Sequence, residues 1–124
     1  MKKKVDLQYI MEQGLLDVEI KKTSIDYTEK KVEFTLSGFS GTEVLKMELC
    51  GITLLEISKV DTFYSPEIIL EYLVDEKKSI INIYTSSDSV YRIKFGTYSC
   101  WMGKAVDFMQ GMEEFECMAG LQGN

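Results

Sequence analysis

Histidine is absent from the chain, and proline, tryptophan and arginine occur once each, as Pro66, Trp101 and Arg92. Without histidine, catalytic triads and most metal sites lose their commonest participant. Cysteine is little help: Cys50, Cys100 and Cys117 are odd in number, widely spaced and free of any C-x-x-C pair. Three thiolates cannot supply the four ligands of a structural zinc, so idle or buried thiols in a reducing cytoplasm are expected. Positive charge is also short, with 14 Lys plus Arg against 20 Asp plus Glu for a net −6. Lys2, Lys3 and Lys4 carry three of those positives at what reads as a mobile end, so the rest is more acidic still. Such a chain repels a phosphate backbone, and no nucleic-acid partner is expected. Long apolar runs are missing too. None approaches the roughly 20 residues that a membrane helix needs. The opening MKKKVDLQYIMEQG breaks its apolar residues with Asp6, Gln8, Glu12 and Gln13, unlike a secretory signal.

What is present suits one β-rich domain over residues 1–124, since 45% hydrophobic and 27% charged residues are ordinary for a folded chain long enough to bury a core. The clearest pattern runs from Glu67 to Phe95, where three strands are separated by the polar runs Asp75-Glu76-Lys77-Lys78 and Ser86-Ser87-Asp88-Ser89. Their Asp and Ser side chains favour reversal by bonding nearby backbone. Tyr91, Ile93 and Phe95 alternate with Val90, Arg92 and Lys94, the period of a strand. Ile68, Leu70, Tyr72 and Val74 oppose Ile69 and Leu73, and Ile80 and Tyr84 oppose Ile81 and Ile83. Apolar residues on both faces imply a cover over part of the outer one.

Earlier in the chain, Asp6 is placed to cap a short helix with Leu7, Ile10 and Met11 in one stripe, and Gly14 to end it. Leu16, Val18 and Ile20, then Val32, Phe34 and Leu36, then Leu45, Met47 and Leu49 read as inward residues of three strands. The first two join through a hairpin at Thr28-Glu29-Lys30-Lys31. Gly51 within a strand-like run marks a bulge or bend, after which Ile52 to Val60 continues. Tyr98 to Met102 reads as a last strand or a turn. From Lys104, Ala105, Phe108, Met109, Met112, Phe115 and Ala119 recur at helical spacing. The expected fold is α+β: a strongly bent, mainly antiparallel sheet of about six to eight strands with a short helix near each terminus.

Few residues suggest chemistry. The acid pairs Asp75-Glu76 and Glu113-Glu114 suit general acid–base work only if they converge in a pocket, and on turns and helices such pairs are usually solvated. Gly38-x-x-Gly41 is too short for a phosphate loop and lacks its Gly-Lys-Ser/Thr ending. Arg92 falls on an outer strand face, within reach of Glu71 or Asn82. Trp101 is an interface candidate, although a lone Trp is more often core. The Met residues at 102, 109, 112 and 118 suit either an adaptable binding face or packing on the sheet. Asp107, Glu113, Glu114 and Glu116 make an acidic segment with no basic residue after Lys104.

The runs GLLDVEIKKTSIDYTEKKVEFTLSG, TEVLKMELCGITLLEISKV and IILEYLV, spanning Gly14 to Phe95, resemble small bacterial β-rich proteins grouped with the immunity proteins of polymorphic toxin systems. Leu16-Asp17 stands where that group has a His-Asp pair, and Cys50-Gly51-Ile52 where it has an apolar-Gly-Val/Ile step. The resemblance implies a cytoplasmic bacterial protein that neutralises a toxin by binding and catalyses nothing. A basic, toxin-like partner then suits the acidic balance. The expected surface takes in Trp101, Phe108, Glu113, Glu114 and Glu116, with the two rings as apolar anchors; the plainer reading is a helix whose apolar stripe is used by the sheet and whose acids face water. The alternative function is a small-ligand domain using the concave face of the sheet, walled by Tyr72, Tyr84, Tyr98 and Trp101. No cofactor and no metal are expected in either.

Overall fold

The computed structural model describes residues 2–38, 43–58, 66–104, 106 and 108. Along the chain come β1 (Lys3–Val5), α1 (Leu7–Gln13), β2 (Glu19–Asp26), β3 (Lys31–Ser37), β4 (Glu43–Cys50), β5 (Leu54–Ser58), β6 (Glu67–Asp75), β7 (Ile80–Thr85), β8 (Val90–Lys94) and β9 (Thr97–Lys104). The strands form one sheet in the order β1-β9-β4-β3-β2-β6-β7-β8-β5. Every pairing is antiparallel. Nine strands replace the expected six to eight. The one that pattern could not supply is β1, where a lysine-rich terminus pairs Lys3, Lys4 and Val5 with Met102, Trp101 and Cys100. Its three residues are too short to show a period. Of the helix expected near the C-terminus, Val106 and Phe108 are described and helical, and the rest lies outside the described residues.

Local chemistry accounts for the short helix and the turns. Asp6 caps α1 by accepting from the Tyr9 N–H at 2.8 Å, and Gly14, at φ 84°, donates its N–H back to the Ile10 carbonyl. Leu7 and Ile10 enter the core while Met11 stays 42% exposed, so the buried stripe is shorter than the spacing suggested. In the β2–β3 turn, Asp26 Oδ1 accepts from the N–H groups of Thr28 and Glu29, both at 3.0 Å. Asp75 Oδ1 accepts from the Lys78 N–H in the β6–β7 turn. The β7–β8 turn buries Thr85, Ser87 and Ser89, whose hydroxyls bond one another at 3.0 and 3.2 Å. A buried hydroxyl must find a partner, and these three supply each other.

The sheet has a narrow seam. β2 and β6 are paired only through Glu19–Ile68 and Ile20–Glu67, extended by backbone bonds from Asp17 N–H to the Ile69 carbonyl and from Ile69 N–H to the Val18 carbonyl. The seam separates a five-strand half (β1, β9, β4, β3, β2) from a four-strand half (β6, β7, β8, β5). Elsewhere the halves meet at a corner: the β4–β9 ladder ends at Cys50–Thr97 and the β5–β8 ladder begins at Leu54–Lys94. Gly51 turns that corner at φ 65°, a conformation that costs an L side chain, and a Cβ there would stand 3.5 Å from the Cα of Gly96. The bend expected at Gly51 is therefore present.

The corner folds the sheet over its own inner face. Phe34 on β3 and Tyr91 on β8 sit four places apart in the strand order, roughly 19 Å in a flat sheet. Their rings meet edge to face at 5.5 Å. Around them Leu36, Met47, Ile83 and Ile93 are almost wholly buried. Tyr91 Oη also donates to Glu67 Oε1 at 2.6 Å, tying β8 to β6.

Two bulges change which residues face this core. Register shifts between Ile20 and Lys22 in β2 and between Ile69 and Glu71 in β6. An extra residue reverses the inward and outward sets beyond it. Ile69, Tyr72 and Val74 consequently turn to the core side, while Leu70 and Leu73 are 57% and 59% exposed. Leu16, expected inward, precedes the strand and is exposed as well. Among the described residues nothing covers Leu70, Leu73 or Tyr84, so the cover expected over that face is not seen.

Candidate interaction surface

Cross-strand register builds the most distinctive surface, on the outer face of the five-strand half. Lys4, Trp101, Lys46, Thr35 and Lys22 stand opposite one another across β1, β9, β4, β3 and β2. The adjacent row is Ser99, Glu48, Glu33 and Ser24. Opposite charges in neighbouring rows pair diagonally, Lys46 Nζ with Glu33 Oε1 at 3.2 Å and Lys31 Nζ with Glu48 Oε1 at 3.7 Å. All four side chains are about one-third exposed, so each pair contributes on the order of 1 kcal/mol at most.

Trp101 projects outward because its neighbours Cys100 and Met102 are the inward, buried residues of β9. It is 37% exposed rather than core. Lys2 Nζ and Lys4 Nζ lie 5.7 and 5.8 Å from its ring centroid. Phe108 joins the cluster, with Lys2 Nζ at 5.8 Å and Lys46 Nζ at 5.9 Å from its ring. Each such cation–π contact at an exposed site contributes ~0.5–1 kcal/mol. The two expected anchors thus share Lys2 and stand among lysines. Glu113, Glu114, Glu116 and Asp107, the acids expected beside them, lie outside the described residues.

The four rings proposed to wall a ligand cavity do not converge. Tyr72 and Tyr98 pack against the core, and Tyr98 Oη accepts the Leu7 N–H at 3.1 Å. Tyr84, opposite Glu71, faces outward with 45% exposure, as Trp101 does on the other half. Arg92 is exposed between Asn82 and Glu56 on the neighbouring strands, so Asn82 rather than Glu71 is its cross-strand neighbour. An open groove of about 530 Å³ lies between the β2–β3 hairpin and β5, lined by Ile25, Tyr27, Val32, Ile52, Leu55 and Ile57.

The described thiols are poor nucleophiles. Burial, reinforced by the charge of Asp6, pushes Cys100 up to about 12. Burial also raises Cys50, which donates to Glu48 Oε1 at 3.4 Å. Cys117 lies outside the described residues. Among the described residues no three or more Cys, Asp or Glu are grouped to hold a metal ion, and no helix is long and apolar enough to cross a membrane. Of the acid pairs, Asp75 serves its turn, and Glu113-Glu114 is outside the description.

Sequence reasoning found Trp101 and Phe108 but missed the lysines around them. Lys2 and Lys4, Lys22, and Lys46 belong to three separate stretches, and only the register of four ladders aligns Lys4, Lys46 and Lys22 with Trp101. Comparison with protein-family models, with curated proteins and with solved structures returned no match.

Proposed function

We propose that the chain is a non-catalytic protein-binding module that engages its partner through the outer face of the five-strand half, with Trp101 and Phe108 as apolar anchors. The observation that carries this reading is the exposure of Trp101 among the lysines of a charged face, with Lys2 shared between its ring and that of Phe108. Large rings ringed by polar groups dominate binding energy at interfaces. In the immunity-type version the chain works in a bacterial cytoplasm, and the partner is a basic, toxin-like protein drawn by the net −6 and by Glu113, Glu114 and Glu116.

The test is quantitative capture of a candidate partner encoded beside the gene, on immobilised wild type and on Trp101→Ala. Because Trp101 lies outside the core, the variant keeps its fold, checked by circular dichroism, and its dissociation constant rises by about tenfold or more. Affinity equal to wild type removes this face. Changing Glu113, Glu114 and Glu116 together to Lys slows association of a basic partner and weakens its salt dependence; an unchanged association rate removes the acidic segment from the reading.

A further inference from the structure

We propose that the row Lys4–Trp101–Lys46–Thr35–Lys22 is the docking surface for the chain's own acidic C-terminal segment, residues 109–124. The first argument is unmatched charge. Lys2, Lys4 and Lys22 form no ion pair among the described residues, and Lys46 has only Glu33. The second is attachment: Phe108 already sits against Lys2 and Lys46, so the segment leaves the body of the protein from this row. The third is complementarity, since the chain after Lys104 holds Asp107, Glu113, Glu114 and Glu116 and no basic residue.

Reach is sufficient. Glu113 is five residues beyond Phe108 and can span up to ~17 Å. Lys22 stands two strands from Lys46, only about 10 Å. A segment tethered so closely has an effective concentration on the order of millimolar, so contacts of modest affinity hold it. Met109, Met112 and Phe115 fall among the acids and supply apolar contact for the Trp101 ring. The glutamates offered to a basic partner and the lysines beneath them then neutralise each other, and a partner for either competes with the segment. This inference stands apart from any partner, because it concerns the isolated chain.

Trp101 is the single tryptophan, so its fluorescence reports the row directly. Quenching by iodide and by neutral acrylamide is measured at constant low ionic strength on wild type, on the full-length variant E113Q/E114Q/E116Q and on Lys22→Gln. Docking predicts that both quenchers act about twofold more strongly on the glutamine variant than on wild type, and that ~0.5 M salt brings wild type to the same level. Lys22→Gln, three strands away from Trp101, moves quenching the same way, which no local effect on the ring explains. A change confined to iodide signals only a shift in local charge and overturns the proposal, as does equal quenching in all three chains. Protection that grows with protein concentration places the segment on a second copy and overturns the intramolecular docking.

Discussion

Across the five-strand half, the outward row through Trp101 holds three lysines and a threonine, and the next row carries Glu33 and Glu48, which pair with Lys46 and Lys31. Across the four-strand half, the corresponding row reads Leu73, Asn82, Arg92 and Glu56, and Leu70, Leu73 and Tyr84 are exposed without a charged lattice around them. The inner faces, by contrast, belong to one core in which Phe34 and Tyr91 touch. Two halves built on the same alternation therefore share an interior and differ outside. Stability is expected to depend on the shared side and recognition on the side that differs.

The sharpest test sets the two aromatic positions against each other. Tyr91→Ala removes a ring that both halves pack against and should cost about 3–5 kcal/mol in urea unfolding, whereas Trp101→Ala should cost less than ~1 kcal/mol. Equal losses would erase the distinction between inner and outer faces. At the corner, Gly51→Ala places an L residue at φ 65° and should cost about 1–2 kcal/mol. Gly96→Ala, where no positive φ is required, should cost less than half as much by the same measurement. If the two cost the same, crowding rather than backbone conformation sets the corner.

Alkaline pH probes the interior in another way. Burial raises the Tyr91 hydroxyl, helped by its hydrogen bond to Glu67 and the charge there, and raises Cys100 from 9.0 to about 12. A group that holds its proton more tightly when folded stabilises the fold fully below its unfolded pKa, and that contribution is lost as pH rises toward the folded value. Stability should therefore decline from about pH 9 upward, and Tyr91→Phe or Cys100→Ala should flatten the decline in urea titrations between pH 9 and 12. An unchanged slope in both variants would place these groups in water when folded. The smallest effect belongs to the outer lattice: a double-mutant cycle on Lys46 and Glu33 should return a coupling of about 0.2–1 kcal/mol that shrinks with salt. A coupling several times larger would make the outer face a structural element.

Much of this arrangement was legible in the sequence, and the failures share a cause. The strands from Glu67 to Phe95, the Asp6 cap, the Gly14 stop and the bend at Gly51 each rest on a signal carried by adjacent residues: alternation, a short acceptor side chain, a glycine. Period-two alternation also names which residues share a face, but it cannot survive an inserted residue. The bulges in β2 and β6 carry no glycine or proline to announce them, and the set expected to share one face, Ile68, Leu70, Tyr72 and Val74, is split, with Leu70 in solvent and Tyr72 and Val74 against the core. Trp101 and Phe108 could be singled out by type. Their surroundings could not, because Lys4, Lys46 and Lys22 align with Trp101 only after strands far apart in the chain have paired.

The corner at Gly51 and Gly96 also fixes how the molecule divides. β2-β3-β4 and β6-β7-β8 are two local meanders, yet the strand after the first, β5, pairs with β8, and the strand after the second, β9, pairs with β4. Each meander donates its next strand to the other, a reciprocal exchange within one chain. A chain nicked between Ser58 and Pro66 would yield two pieces, each holding the strand that completes its counterpart. Such fragments should complement one another on mixing and fold poorly alone, so that a split version of this protein would report the proximity of whatever is fused to its two parts.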